Sequence, residues 1–247
     1  MSGHSKWAGI KHKKAVVDAR KGQTFTKVAN EITVAAREAG GDPNSNFRLR
    51  LAIQRAREVN MPADNIERAI KRGTGELQGD AIEEIRYEGY GPSGVAILVD
   101  VLSDNRNRTV AAIRNLFARS GGSLGESNSV GWMFNRIGLI RVDSPGEDQE
   151  ALELRAIELG ADDVQVEDGV VEVYVAPERL ESLRQALIDA KIEVESAEVT
   201  MLPSNTVEVD AKNAPAVVRL LEALEEQDDV REVYCNAVLP DNILAEV

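Results

Sequence analysis

Val164-Gln165-Val166-Glu167 and Val170-Val171-Glu172-Val173-Tyr174-Val175 are short runs rich in β-branched residues, and they read as two successive strands. Working outward, Leu139 to Val142 reads as a strand and Glu150 to Leu159 as a helix on one side, with the helix Glu178 to Ala190 and the strand Val194 to Met201 on the other. The order is βαββαβ, the ferredoxin-like split unit. Upstream lie two more strands, Ile82 to Tyr90 and Val95 to Leu102, joined by a tight turn and followed by a helix carrying Val110, Ile113, Leu116 and Phe117. Downstream come Val207 to Val209, the helix Ala214 to Glu226 and the strand Val230 to Val238. The flanking pieces match each other in kind. One α+β domain, residues 79–134 with 203–247, is therefore expected to be interrupted by a second, residues 135–202.

The remaining segment, residues 1–78, reads as helical. Phe25, Val28, Ala29, Ile32, Ala35, Ala36 and Ala39 recur at three- and four-residue steps, and Gly40-Gly41 supplies the stop. Asn44 to Asn46 offer caps for a helix through Val59. Pro62 opens another, with Ile66, Ala69 and Ile70 on its apolar face, Lys71 and Arg72 in its last turn and Gly73 just after. Thr74 to Asp80 is polar and glycine-bearing, and reads as the linker. The expected class is α+β: an N-terminal all-helical domain followed by two α+β domains of ferredoxin-like type, one inserted into the other.

Charge divides the chain at the same place. Residues 1–72 hold 15 Lys and Arg against 7 Asp and Glu, a net +8, whereas the whole chain of 247 residues carries −13. A basic head on an acidic body is an electrostatic address for a polyanion, and nucleic acid is the expected partner. No stretch approaches the roughly 18 apolar residues that a membrane span needs. The polar start has no apolar segment behind it to act as a signal peptide, so a cytoplasmic location and no membrane partner are expected. Cys235 is the only cysteine, which excludes an intramolecular disulfide and a multi-thiolate metal site. It shares a strand face with Val233 and Ala237 and reads as a core residue.

The densest cluster of nucleic-acid-type residues is His4-Ser5-Lys6-Trp7 with Lys11-His12-Lys13-Lys14. Lysines release counterions from phosphate, and a Trp between cations can stack on an unpaired base. The competing reading packs Trp7 on the helical bundle and leaves the lysines as a solvated tail. Lys21, Lys27, Arg68, Lys71 and Arg72 extend the positive surface. Arg48 and Arg55 share one side of a helix and Arg50 and Arg57 nearly the opposite side, so they cannot all grip one backbone and at least one pair is expected to be structural. No recognition-helix pattern rich in base-reading side chains is present.

Other motifs carry little chemistry. Gly89-Tyr90-Gly91-Pro92-Ser93-Gly94 matches G-x-G-x-x-G, but a strand follows it where a dinucleotide site needs a helix, so it reads as a hairpin turn. In Ser103-Asp104-Asn105-Arg106-Asn107-Arg108-Thr109 the short polar side chains suit helix capping. Arg106 and Arg108 do not suit a helix start, and hint at a bound anion or an interdomain salt bridge. Two histidines without a third ligand make a poor metal site, and neither has a nucleophile and an orienting carboxylate at usable spacing. No metal, cofactor, small-molecule substrate or enzymatic activity is expected.

Gly3-His4-Ser5-Lys6-Trp7, Gly40-Gly41-Asp42-Pro43, Asn60-Met61-Pro62, Tyr87 to Pro92, Ser103 to Thr109 with Gly121-Gly122, and Ser196-Ala197-Glu198-Val199 follow one another in an order that resembles the YebC family of bacterial proteins. The mitochondrial relatives of that family include the translational activator of a cytochrome c oxidase subunit. The resemblance covers the full length. It implies a helical N-terminal domain and two α+β domains, one interrupting the other, in a cytoplasmic gene-expression factor without enzymatic activity. Most family members are described as DNA-binding transcriptional regulators, the function expected first for this chain; others are understood as translation factors acting on the ribosome, and a non-nucleic adaptor whose acidic body docks a basic protein is the third reading. Transfer from the family extends to His4, Lys6, Trp7, Lys11 and Lys13.

Overall fold

The computed structural model describes residues 21–79, 81–143, 149–167 and 170–240. Among the described residues the head contains three helices: α1 (Lys21–Ala39), α2 (Phe47–Glu58) and α3 (Ala63–Gly73). Their shared core is Val28, Ile32, Ala35 and Ala36 of α1, Leu49, Ala52, Ile53 and Ala56 of α2, Met61, and Ala69 of α3. Small residues dominate it because the helices approach closely. A Cβ on Gly73 would lie 2.4 Å from the Thr33 carbonyl oxygen, so the end of α3 rests directly on the α1 backbone. Asn46 caps α2, accepting the Leu49 N–H at 3.0 Å, while its own amide donates to the carbonyls of Ala35 and Gly40 at 2.8 Å each.

Beyond the head, β1 (Glu83–Tyr90) and β2 (Ala96–Ser103) form an antiparallel hairpin with Gly89 opposite Ile97. Ser93 and Gly94 take left-handed backbone, φ 61° and 74°, and the Gly91 N–H donates to the Val95 carbonyl at 2.8 Å. The glycine-rich run is a turn, as its following strand indicates. Next come α4 (Arg106–Arg119) and the two-residue β3 (Ser123–Leu124). After the insertion the chain returns as β8 (Val207–Glu208), α7 (Ala214–Glu225), β9 (Val230–Cys235) and β10 (Ala237–Val238). The sheet order is β3-β1-β2-β9, with a bulge between Asp100 and Val101, and β8 pairs in parallel with β10. The expected single strand from Val230 to Val238 is broken at Asn236, whose side-chain oxygen accepts the Ala96 N–H at 2.8 Å while its carbonyl accepts from Val207.

Strand β2 is buried at every position. Ile97, Val99 and Val101 join Ile113 and Phe117 of α4 and Val217, Leu220, Leu221 and Leu224 of α7 in the main core. Leu102, on the other face, packs with Val34 of α1 and Ile82. The head thus covers the face of this sheet that α4 and α7 leave open. Cys235 lies in the main core, where burial pushes its thiol up to about 11.

The chain divides into two compact units, residues 1–133 with 203–247, and residues 134–202. The second unit runs β4 (Phe134–Asp143), α5 (Gln149–Glu158), β5 (Asp163–Glu167), β6 (Val170–Val175), α6 (Leu180–Asp189) and β7 (Val194–Pro203), with sheet order β5-β6-β4-β7. This is the ferredoxin-like arrangement. Gly138 lies on the same sheet face as α6, since a Cβ there would meet Val175 and Leu180 within 3.1 Å. On the opposite face Arg141 pairs with Glu172 at 3.0 Å and Tyr174 donates to Glu172 at 2.6 Å. Burial, reinforced by the neighbouring carboxylate, raises the Tyr174 phenol well above its ordinary value.

Candidate nucleic-acid interface

His4, Ser5, Lys6, Trp7, Lys11, His12, Lys13 and Lys14 lie outside the described residues. Lys21 is the first residue of α1. The rest of the expected surface falls into two groups, one turned toward the sheet and one toward solvent.

The inward group is built on α2. Arg48 reaches Glu38 of α1 at 2.6 Å and both carboxylate oxygens of Glu84 of β1 at 3.0 Å. Two turns further on, Arg55 binds Glu31 of α1 at 3.2 Å and Glu232 of β9 at 3.0 Å. These seven-apart arginines share a helix side, and each ties α1 and α2 to the sheet. The pair expected to be structural is therefore Arg48 with Arg55. Lys27 belongs with them, because its Nζ donates to the Glu225 carbonyl at the end of α7. Beneath this seam, Asp100 of β2 is 3% exposed and accepts from Arg86 at 2.6 Å and from Arg231 at 2.9 Å. Arg231 also approaches Glu84 at 3.5 Å, so Arg48, Glu84, Arg231, Asp100 and Arg86 form one continuous network.

The outward group is larger. Arg68 and Arg72 lie one turn apart on α3 and are exposed, as are Arg37 at the end of α1 and Arg57 on α2, and none of the four has an ion-pair partner among the described residues. Lys71 is balanced by Glu67 one turn earlier, at 2.5 Å. Arg50 lies over the Phe47 ring, 5.5 Å from its centroid, and donates to the Pro43 carbonyl. Arg37 and Arg57 add to the expected surface; the sequence signal for Arg57 is its place on the side of α2 opposite Arg48 and Arg55.

Arg108 is explained by a salt bridge within its own domain. Its guanidinium binds Asp104 at 2.9 Å and Asp229 at 2.8 Å, and Asn105 caps α4 by accepting the Arg108 N–H at 3.1 Å. Asp229 also accepts from Thr109 and Ser103. Burial alone would raise the Asp229 carboxyl, but these donors outweigh it and hold the group below its ordinary value. A cleft of about 710 Å³ opens here, lined by Thr26 and Asn30 of α1, Arg72 of α3, and Asp104, Arg108 and Asp229. Its cations and carboxylates largely offset one another, so it lacks the single-signed field that draws a polyanion.

Fold and surface together define a class: an α+β protein with a helical head clamped to a sheet, and with no described helix long and apolar enough to cross a membrane. A family model described as the TACO1/YebC protein N-terminal domain matches residues 5–76, and one described as the TACO1/YebC second and third domain matches residues 82–237. The chain belongs to the TACO1/YebC family. It is 51% identical to a "Probable transcriptional regulatory protein" of Natranaerobius thermophilus, with 99% of each chain covered. It is 53% identical to one of the same name from Pelotomaculum thermopropionicum, covering 98% of this chain and all of that one. The crystal structure of a conserved hypothetical protein from Aquifex aeolicus superposes with a TM-score of 0.82 at 45% identity, over 90% of this chain and 92% of the other.

Proposed function

We propose that this chain is a cytoplasmic, non-enzymatic regulator of gene expression that binds nucleic acid through its N-terminal basic region. The observation that carries this reading is the charge division, +8 over residues 1–72 in a chain of net −13, together with four exposed arginines of the head that no described carboxylate engages. Such cations can replace counterions on phosphate, while the acidic remainder repels it and leaves one end of the molecule to dock.

The name of the relatives, "Probable transcriptional regulatory protein", supports a transcriptional regulator, and the first form of this reading is that it acts on DNA. A second reading, a translation factor on ribosomal or transfer RNA, is favoured by the state of α2. Its Arg48 and Arg55 are held by carboxylates and its Arg50 by Phe47 and a main-chain carbonyl, so α2 offers no row of base-reading side chains to a major groove. Recognition by shape and backbone suits structured RNA. Titration of the full chain against duplex DNA and folded RNA at two salt concentrations tests the reading. Steeply salt-dependent affinity is expected, and salt-independent affinity or none overturns it. Promoter crosslinking in cells identifies the transcriptional form, whereas co-sedimentation with ribosomes and crosslinks to rRNA or tRNA identify the other.

A further inference from the structure

Trp132 ends a segment whose backbone is fixed from within. After β3, where Leu124 pairs with Gly89 and Ser123 with Tyr90, the chain folds back over Glu88. That buried carboxylate accepts three main-chain N–H groups: Asn128 at 2.8 Å, Val130 at 2.9 Å and Gly131 at 2.6 Å. The Glu88 carbonyl accepts from the Gly125 N–H, and the Tyr90 hydroxyl donates to the Ser129 carbonyl at 3.1 Å. Hydrogen bonds to an ionised acceptor are short and strong, so this loop is held in one shape.

On that rigid base Trp132 is 64% exposed, the largest apolar side chain left in water among the described residues. Its indole N–H is already engaged, donating to the Ser129 carbonyl at 3.2 Å. What the residue offers is therefore the face of the ring. Along the chain it is preceded by exposed Glu126, Ser127 and Asn128 and followed by exposed Arg136. In the same unit the only other described large apolar side chain exposed beyond a third is Leu77. A protein-docking centre sets its aromatic anchor among apolar neighbours that exclude water, and these are lacking. A single exposed ring on a rigid loop, its N–H already engaged and only its face on offer, fits a planar π-system.

We propose that Trp132 is a stacking platform for an unpaired base of the nucleic acid whose phosphates the N-terminal head engages. The assignment rests on the nucleic-acid reading above and adds the chemistry of a second contact. Wild type, W132A and W132F, as full chains, are titrated with a blunt hairpin and with the same hairpin carrying a single-stranded tail, each made in RNA and in DNA. The W132A change is expected to weaken the tailed probe by roughly 5- to 150-fold and leave the blunt one unchanged, with W132F between, since every base has a face that an aromatic ring can meet. Melting curves of the variants should superpose on wild type because the ring is exposed. Equal affinity of wild type and W132A for the tailed probe, or equal loss on both probes, overturns the assignment while the functional reading stands. Failure of the wild type to bind either probe overturns both.

Discussion

The head presents arginine on two surfaces, and the two are used differently. Facing the sheet, Arg48 and Arg55 lie against Glu38, Glu84, Glu31 and Glu232, and Lys27 against the Glu225 carbonyl. Facing solvent, Arg37, Arg57, Arg68 and Arg72 meet no carboxylate among the described residues. A net charge counted along the chain adds both sets together, yet only the second is free to meet a partner. The first fastens the head to the acidic domain, so part of the acidity of the body is counter-charge for the head's own arginines.

The greatest strain on this division comes from the N-terminal lysines. Changing Lys6, Lys11, Lys13 and Lys14 together to Glu takes residues 1–72 from +8 to about 0, and nucleic-acid association measured near physiological salt should fall below detection. Undiminished association would mean that the charge asymmetry is not the determinant of function. The solvent-facing set comes next. R57A, R68A and R72A combined should lower the slope of log affinity against log salt by about 1 for each phosphate no longer neutralised, while each change alters stability by no more than about 0.5 kcal/mol. A smaller and opposite signature belongs to the sheet-facing set: R48A with R55A should cost roughly 0.5–2 kcal/mol in a denaturant melt and leave the salt slope unmoved. If that double variant changed the slope instead, the two surfaces would not be distinct.

The smallest effect is pH-dependent. Asp229 has a lowered pKa in the folded protein, so its contribution is fully present above the ordinary carboxylate value of 3.8 and is lost as pH falls through the lower folded value. D229N should therefore be less stable than wild type by about 1 kcal/mol at neutral pH, through its weakened hydrogen bonds to Arg108 and Thr109, and the gap should close below about pH 4. A gap that widened in acid would refute the ion pair as its source.

What the sequence disclosed follows from how far apart the interacting residues lie. The inserted βαββαβ block is contiguous, and each strand and helix within it is visible in local periodicity. The cap at Asn46 and the hairpin at Gly89 to Gly94 are legible for the same reason. Pairing of β2 with β9 joins residues separated by the whole insertion, and nothing local to Val230 marks its neighbour. The same distance hides the roles of the arginines: Arg55 meets Glu232 across 177 residues and Arg108 meets Asp229 across 121. Helical geometry shows that two pairs face opposite ways on α2, but only the fold shows which pair has acids opposite. Trp132 gives no signal, because one tryptophan among glycines and serines has no periodicity to say whether it is inside or out.

The carboxylate of Glu88 has a consequence of another kind. Successive main-chain N–H groups converging on one point form an anion receptor, the geometry by which many loops hold phosphate. Here the receptor is filled by the chain's own side chain, with Asn128, Val130 and Gly131 as its donors. It is self-liganded, so free phosphate has no entry at this loop. Truncation to E88A removes the acceptor that holds the loop, so the variant should melt below the wild type, and acetate or formate in the buffer should recover part of that loss while leaving the wild type alone.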